Sequence, residues 1–173
     1  ACAIAGDDTK GKEIQMQILK QGLQGELLVN NSLIDMYGKC GLLAEAEDIL
    51  NKFPSRNIFS WAALMGGYSK HKLDLKVINC FQKLCSDGIV PNVATSICSL
   101  KACGSVGSSC IEKAQQIHDE IIQRGLDREM FVGSSLVDMY AKYGLLSNAE
   151  QVFDRLVMRN VVSWNCLIAG YVK

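Results

Sequence analysis

The stretch Ser32-Leu-Ile-Asp-Met-Tyr-Gly-Lys-Cys-Gly-Leu-Leu43 returns 103 residues later as Ser135-Leu-Val-Asp-Met-Tyr-Ala-Lys-Tyr-Gly-Leu-Leu146. It sits inside a longer block, 27–70 against 130–173, in which 20 of 44 positions are identical. A chain that repeats itself on this scale is built by restacking one small unit, so it has no single core and no default active-site cleft. An extended binding surface is the first functional expectation, and catalysis has to find its own residues.

Within the repeat, apolar residues at helical spacing alternate with short breakers. In 27–57 the set Leu28, Val29, Leu33, Ile34, Met36 and Tyr37 precedes Cys40-Gly41, and Leu43, Ala46, Ile49, Leu50 and Phe53 follow. This spacing predicts a helical hairpin, with Gly41 ending its first helix in the left-handed conformation and Pro54 stopping its second. The cycle recurs in 58–92, where Trp61, Leu64, Met65 and Tyr68 mark one helix, Val77, Ile78, Phe81 and Leu84 its partner, and Gly88 and Pro91 the close. A third unit, 93–129, carries Ile97, Leu100 and Ala102, then Ala114, Ile117, Ile121 and Ile122; a fourth spans 130–160. Gly104-Ser-Val-Gly-Ser-Ser-Cys110 is two residues longer than its counterpart and reads as a surface-loop insertion. Residues 1–26 read as the end of a unit of the third kind, Ala1-Cys-Ala matching Ala102-Cys-Gly, and 161–173 as the first helix of a unit like 58–92. The chain therefore reads as a fragment of a longer solenoid whose neighbouring units cover its end faces.

Eighteen Lys and Arg balance eighteen Asp and Glu, so no global field draws nucleic acid, and any such binding rests on local arrangement. Cys2, Cys40, Cys80, Cys85, Cys98, Cys103, Cys110 and Cys166 lack the spacing of a disulfide scaffold. Several fall at apolar-periodic positions, and they read as reduced thiols of a reducing compartment. No run reaches the roughly 18 apolar residues that span a bilayer, so no membrane partner is expected. The opening Ala-Cys-Ala-Ile-Ala-Gly-Asp-Asp has neither the pattern of a secretory signal nor that of a transit peptide, and without Met it reads as lacking the true beginning.

Units of 31, 35 and 37 residues in a fixed rotation, with these words, resemble the plant PLS-class pentatricopeptide repeat (PPR) proteins. The resemblance covers the whole chain. Leu28-Val-Asn-Asn-Ser-Leu-Ile-Asp-Met-Tyr-Gly-Lys-Cys-Gly41 and Phe131-Val-Gly-Ser-Ser-Leu-Val-Asp-Met-Tyr-Ala-Lys-Tyr-Gly144 look like short S units. Ile58-Phe-Ser-Trp-Ala-Ala-Leu-Met-Gly-Gly-Tyr68 and Val161-Val-Ser-Trp-Asn-Cys-Leu-Ile-Ala-Gly-Tyr171 look like P units, and Ser99-Leu-Lys-Ala-Cys-Gly104 with Gln116-Ile-His-Asp-Glu-Ile-Ile122 like an L unit. The implied order is a partial L unit at 1–26, S at 27–57, P at 58–92, L at 93–129, S at 130–160 and a partial P unit at 161–173. The implied fold is all-α, a right-handed α-solenoid of antiparallel helical hairpins.

The resemblance further implies that first helices line a concave face along which single-stranded RNA runs, about one base per repeat. The fifth and last residues of each unit then touch the base edge, which an unpaired base leaves open to hydrogen bonding. On this chain the first S unit offers Asn31 and Asn57, and because an amide holds both a donor and an acceptor the pair suits a pyrimidine. The second S unit offers Ser134 and Asn160, a pairing similar to an adenine reader. The complete P unit departs from the family pattern with Ala62, leaving Asn92 alone able to donate, and the L unit presents Ile97 and Glu129, neither a good reader. Asn165 is a fifth-position amide whose partner lies beyond the chain end. Second positions Leu28, Phe59, Phe131 and Val162 are the implied stacking walls, with Ala94 a weaker one.

Trp61, Trp164, Tyr37, Tyr68, Tyr140 and Tyr171 share the apolar stripe of the aliphatic core positions and read as interhelix packing. His118-Asp119-Glu120 matches half of a zinc-deaminase signature, but Cys80 to Cys85 and Cys98 to Cys103 do not supply the Cys-x-x-Cys that completes the zinc shell. His71 stands alone, and Gly104-Ser-Val-Gly107 lacks the Lys-Ser/Thr finish of a phosphate loop. No enzyme, cofactor or metal is therefore expected. Lys39, Lys101 and Lys142 recur near the ends of first helices, where phosphate contact and plain solvation are both open readings. The leading expectation is a sequence-selective RNA reader within an organellar RNA-processing factor, mitochondrial or chloroplast, directing C-to-U editing together with other proteins of the editing complex. The rival is a protein-binding helical scaffold in an organellar assembly, for which Ala62, Ile97 and Glu129 speak as a poor code.

Overall fold

A computed structural model describes residues 8–53 and 56–172. Ten α-helices and no strands occur among them: α1 Asp8–Lys20, α2 Leu27–Cys40, α3 Leu43–Lys52, α4 Ile58–Lys70, α5 Asp74–Ser86, α6 Val93–Val106, α7 Ile111–Gln123, α8 Met130–Lys142, α9 Leu146–Arg155 and α10 Val161–Tyr171. Short 3-10 turns at Leu23–Gly25, Ser108–Cys110 and Leu126–Arg128 join some of them. The expected all-helical class holds. The matches drawn from Ala1-Cys-Ala, the thiol of Cys2 and the stop expected at Pro54 lie outside the described residues.

The chain divides into two compact units, Ala1–Lys76 and Val77–Lys173. In the first, α2 lies along α4 and both pack on α3. Leu33, Ile34, Tyr37, Ala46, Leu50, Trp61, Leu64, Met65 and Tyr68 are buried there. In the second, α8 lies between α6 and α10 as one layer, with α7 and α9 on the other side. Its core holds Leu100, Ala114, Ile117, Ile121, Leu136, Val137, Tyr140, Ala149, Val152 and Phe153.

The breakers act by backbone geometry. Gly41 takes φ 87°, its N–H donates to Gly38 O at 3.3 Å and Leu42 N–H reaches back to Tyr37 O at 3.0 Å, which closes α2 with its last carbonyls bonded. Gly144, with φ 73°, closes α8 the same way on Ala141 O and Tyr140 O. Adjacent first helices meet at small residues. A methyl on Gly67 would stand 2.8 Å from Gly38 Cα, and one on Gly170 would stand 2.9 Å from Ala141 Cβ.

Contacts across the helices repeat with the sequence. Tyr37 Oη donates to Gln15 Oε1 at 2.7 Å, and 103 residues on Tyr140 Oη meets His118 Nδ1 at 2.7 Å. Tyr68 donates to Glu47, and Tyr171 to Glu150.

Two expectations are corrected. Gly104-Ser-Val106 is not loop but the last turn of α6, which runs on to Gly107. The Cys103 carbonyl at that end accepts from Gly107 N–H at 3.1 Å and from Tyr143 Oη at 2.9 Å, and the Cys110 thiol folds back on the same group. The second concerns the aromatic stripe: Tyr37, Tyr68, Tyr140 and Trp61 are buried, but Trp164 is 50% and Tyr171 57% exposed. Trp164 packs one edge against Phe153, ring centres 4.6 Å apart, and no helix follows α10 among the described residues to cover its other side.

Candidate nucleic-acid interface

Asn-x-x-Ser/Thr is written three times in the chain, and each copy starts a first helix. Asn57, Asn92 and Asn160 are the N-caps of α4, α6 and α10, each closing a reciprocal box with Ser60, Thr95 and Ser163. The asparagine carbonyl accepts backbone N–H groups that the helix leaves unpaired: Phe59 and Ser60 at 3.0 Å each for Asn57, Thr95 at 3.0 Å for Asn92, Ser163 at 2.8 Å for Asn160. Each of these amides therefore lends its oxygen to a helix start, with both lone pairs engaged at Asn57 and one backbone N–H accepted at Asn92 and at Asn160. The Asn57 amide, expected to offer both a donor and an acceptor, has its oxygen engaged by Phe59 and Ser60 N–H, which leaves Nδ2. The three-residue spacing to Ser or Thr is a legible sign of this and singles out Ser60, Thr95 and Ser163.

In the first unit Asn31 and Asn57 meet through one hydroxyl. Ser60, 1% exposed, places its Oγ 2.6 Å from Asn31 Oδ1 and 3.0 Å from Asn57 Oδ1. Asn31 and Asn57 are half-buried, and Leu28 and Phe59 at the second positions stand 79% and 64% exposed. Ala62, also half-buried, brings no hydrogen-bonding group to this face.

In the second unit Ile97, Lys101, Phe131, Ser134, Val162 and Cys166 are among the residues lining one cavity of about 330 Å³. Phe131 and Val162 are 60% and 55% exposed, while Ser134 at 4% forms part of the floor. Its hydroxyl donates to Met130 O at 2.8 Å, so towards the cavity it offers lone pairs. Asn160 is half-buried and Asn165 exposed, and Asn92 is half-buried on its cap. Glu129, the N-cap of α8, makes no side-chain cap and is exposed, and Ala94 is exposed on α6.

Cations on these faces are partly neutralised within their own helices. Lys39 pairs with Asp35 at 2.6 Å and Lys142 with Asp138 at 2.7 Å, each one turn away, whereas Lys101 is exposed at the cavity. Such exposed pairs hold only a few tenths of a kcal/mol (about 0.3–0.5), weak enough for a phosphate to exchange with the carboxylate.

His118, from the half-match to a zinc site, lies on α7. His118 is bonded to Tyr140, in the place where the first copy uses Gln15, so its role there needs only a neutral hydrogen-bonding side chain. Burial lowers its pKa below the usual histidine value. No group of three or more His, Cys, Asp or Glu able to hold a metal occurs among the described residues. Burial pushes the Cys103 thiol up to about 12 and that of Cys85 to about 11, which keeps both protonated and unreactive. No described helix is long and apolar enough to cross a membrane.

The model of the PPR repeat matches residues 31–58, 59–89 and 134–161, about half of the chain. The chain belongs to the PPR repeat family. A putative pentatricopeptide repeat-containing protein of Arabidopsis thaliana is 40% identical to it over 172 residues, 99% of this PPR chain and 24% of that protein. Two more from the same plant, one named chloroplastic and one mitochondrial, are each 35% identical, with 100% and 95% of this chain covered and 21% and 26% of theirs. The PPR chain thus spans about a quarter of the length of these relatives. Among solved structures, the pentatricopeptide repeat protein PPR10 in complex with an 18-nt psaJ RNA element matches with a TM-score of 0.63 at 20% identity, over 80% of this chain and 21% of that one. That likeness establishes the helical-repeat fold.

Proposed function

We propose that this PPR chain reads single-stranded RNA by sequence, about one base per repeat, as part of a PLS-class organellar specificity factor for C-to-U editing. The observation that carries the reading is one cavity lined by Phe131, Val162 and Ser134, the first two suited to be walls and the third a reader. An aromatic or branched wall on either side of a polar floor suits a flat base that stacks and is then read at its edge. Ser134 lone pairs would accept from the adenine amino group, while Asn160 Nδ2 donates to an acceptor on the same edge. The crystal structure of PPR10 bound to RNA supports the choice of ligand, and relatives named chloroplastic and mitochondrial support an organelle as the setting. Zero formal charge keeps nonspecific attraction weak, so recognition would depend on base edges more than on phosphate.

The test is binding of the chain to a degenerate RNA pool at low salt. Enrichment of a motif running 5′ to 3′ as pyrimidine, two open positions, adenine and a pyrimidine-leaning base is the expected result. Asn57→Ala then weakens a matched oligonucleotide more than a mismatched one; equal loss on both counts against base reading, and no retention at all favours a protein-binding scaffold. For the editing assignment, plants lacking the gene should lose C-to-U conversion at a site preceded by that motif.

A further inference from the structure

A hydroxyl has one proton to give, and around Ser60 that limit has a chemical consequence. Its oxygen accepts the Asn57 backbone N–H at 3.4 Å. Two carbonyl oxygens compete for its proton, Asn31 Oδ1 at 2.6 Å and Asn57 Oδ1 at 3.0 Å. Asn57 Oδ1 already takes two backbone N–H groups, so the proton goes to the nearer Asn31. Both amide oxygens are then turned in towards the start of α4, and neither Nδ2 has a partner in the protein among the described residues.

The other two boxes serve as internal controls. Where Ser134 stands in place of Asn31, Ser163 Oγ donates instead to Asn160 O at 2.9 Å. At Asn92, Thr95 Oγ1 likewise donates to the Asn92 carbonyl at 3.1 Å. Only beside a fifth-position asparagine is the hydroxyl drawn across to a second helix.

We propose that Ser60 is a positioning residue that fixes Asn31 and Asn57 as a donor-only pair, and that this pair selects cytosine over uracil. The proposal rests on the RNA-reading function above. Cytosine presents N3 and O2 as neighbouring acceptors, which two N–H donors satisfy together. Uracil places its N3–H between O2 and O4, so one donor of the pair would face another and stay unpaired.

Binding of the 173-residue chain to two RNA oligonucleotides identical except for C or U opposite the 27–57 repeat tests this. The expected preference for cytosine is roughly tenfold, falling to about twofold or less in Ser60→Ala and returning in Ser60→Thr, since Thr95 shows that threonine forms the same box. Side-chain amide NMR reads the geometry without RNA: the Asn31 Nδ2 resonances move in Ser60→Ala and return in Ser60→Thr. A preference for uracil would mean that Asn31 is turned the other way, donating to Ser60, and overturns the proposal. So does an unchanged C-to-U ratio in Ser60→Ala, or an unmoved Asn31 resonance. Retention of both oligonucleotides with no discrimination sinks this selectivity alone, whereas retention of neither sinks RNA reading itself.

Discussion

Asn31 and Ser134 occupy the same place in two copies of one repeat, yet the hydrogen bonds around them run in different directions. Asn31 reaches forward to Ser60 at 2.6 Å and ties the fifth position of one helix to the cap of the next. Ser134, shorter by an amide group, bonds back to Met130 O at 2.8 Å, and Ser163 turns to the Asn160 carbonyl. Both copies keep an asparagine cap box, a tyrosine bonded across to a neighbouring helix and a closing glycine. The side chain at this one place therefore decides whether the position is hydrogen-bonded to the cap box of the next helix or back to its own helix.

The largest expected effect lies where the two copies share a tight crossing. Gly67→Ala would drive its methyl to 2.8 Å from Gly38 Cα, a backbone atom that cannot swing aside, and should cost about 1–3 kcal/mol. Gly170→Ala meets Ala141 Cβ and the flexible end of Leu146 and should cost less. Thermal unfolding of the two variants ranks them, and the opposite order would break the parallel.

Next in size, Ser134→Asn should convert the second pair to the first: the new amide reaches Ser163, and preference at that repeat moves from adenine to cytosine by roughly tenfold, about 1.4 kcal/mol. Competition binding with A or C opposite 130–160 reads the change. Caps come third. Asn160→Ala removes the side-chain acceptor of one backbone N–H and should lower stability by about 1 kcal/mol, and Asn57→Ala, which leaves two backbone N–H groups without theirs, by somewhat more. Urea unfolding measures both.

The smallest effect concerns His118 against Gln15. Burial lowers the folded pKa of His118, so below the usual histidine value the unfolded chain takes up a proton before the folded one does. Its contribution to stability is then complete above about pH 6.5 and is lost as pH falls from there towards the lowered pKa. His118→Gln, which copies the first repeat, should flatten that part of the stability profile; a profile unchanged by the substitution would show that other groups set it.

Much of this architecture is legible in the amino-acid sequence. Helical spacing and the glycines at 41 and 144 mark where first helices end, because only a left-handed residue closes those turns easily. The aromatic stripe is legible only where a following helix covers it, which is why Trp61 fits and Trp164 does not. Gly104 looks like a loop residue, since nothing in the sequence announces that Tyr143 secures the carbonyl of Cys103, forty residues before it, at the helix end beside Gly104. Ser60 is hidden differently. Its box with Asn57 is written in the local sequence, but its grip on Asn31 spans 29 residues and depends on two helices lying side by side.

The backbone approach of Gly38 to Gly67 reaches further than stability. In the proposed function a bound strand advances by a nearly constant step from one base to the next, and the first helices would have to keep pace with it. Where neighbouring rods touch main chain to main chain, no side chain can act as a spacer, so their separation is as small as polypeptide allows. The two glycines would thus serve as a length standard within the first unit, and a single added carbon would widen the spacing of the two helices there.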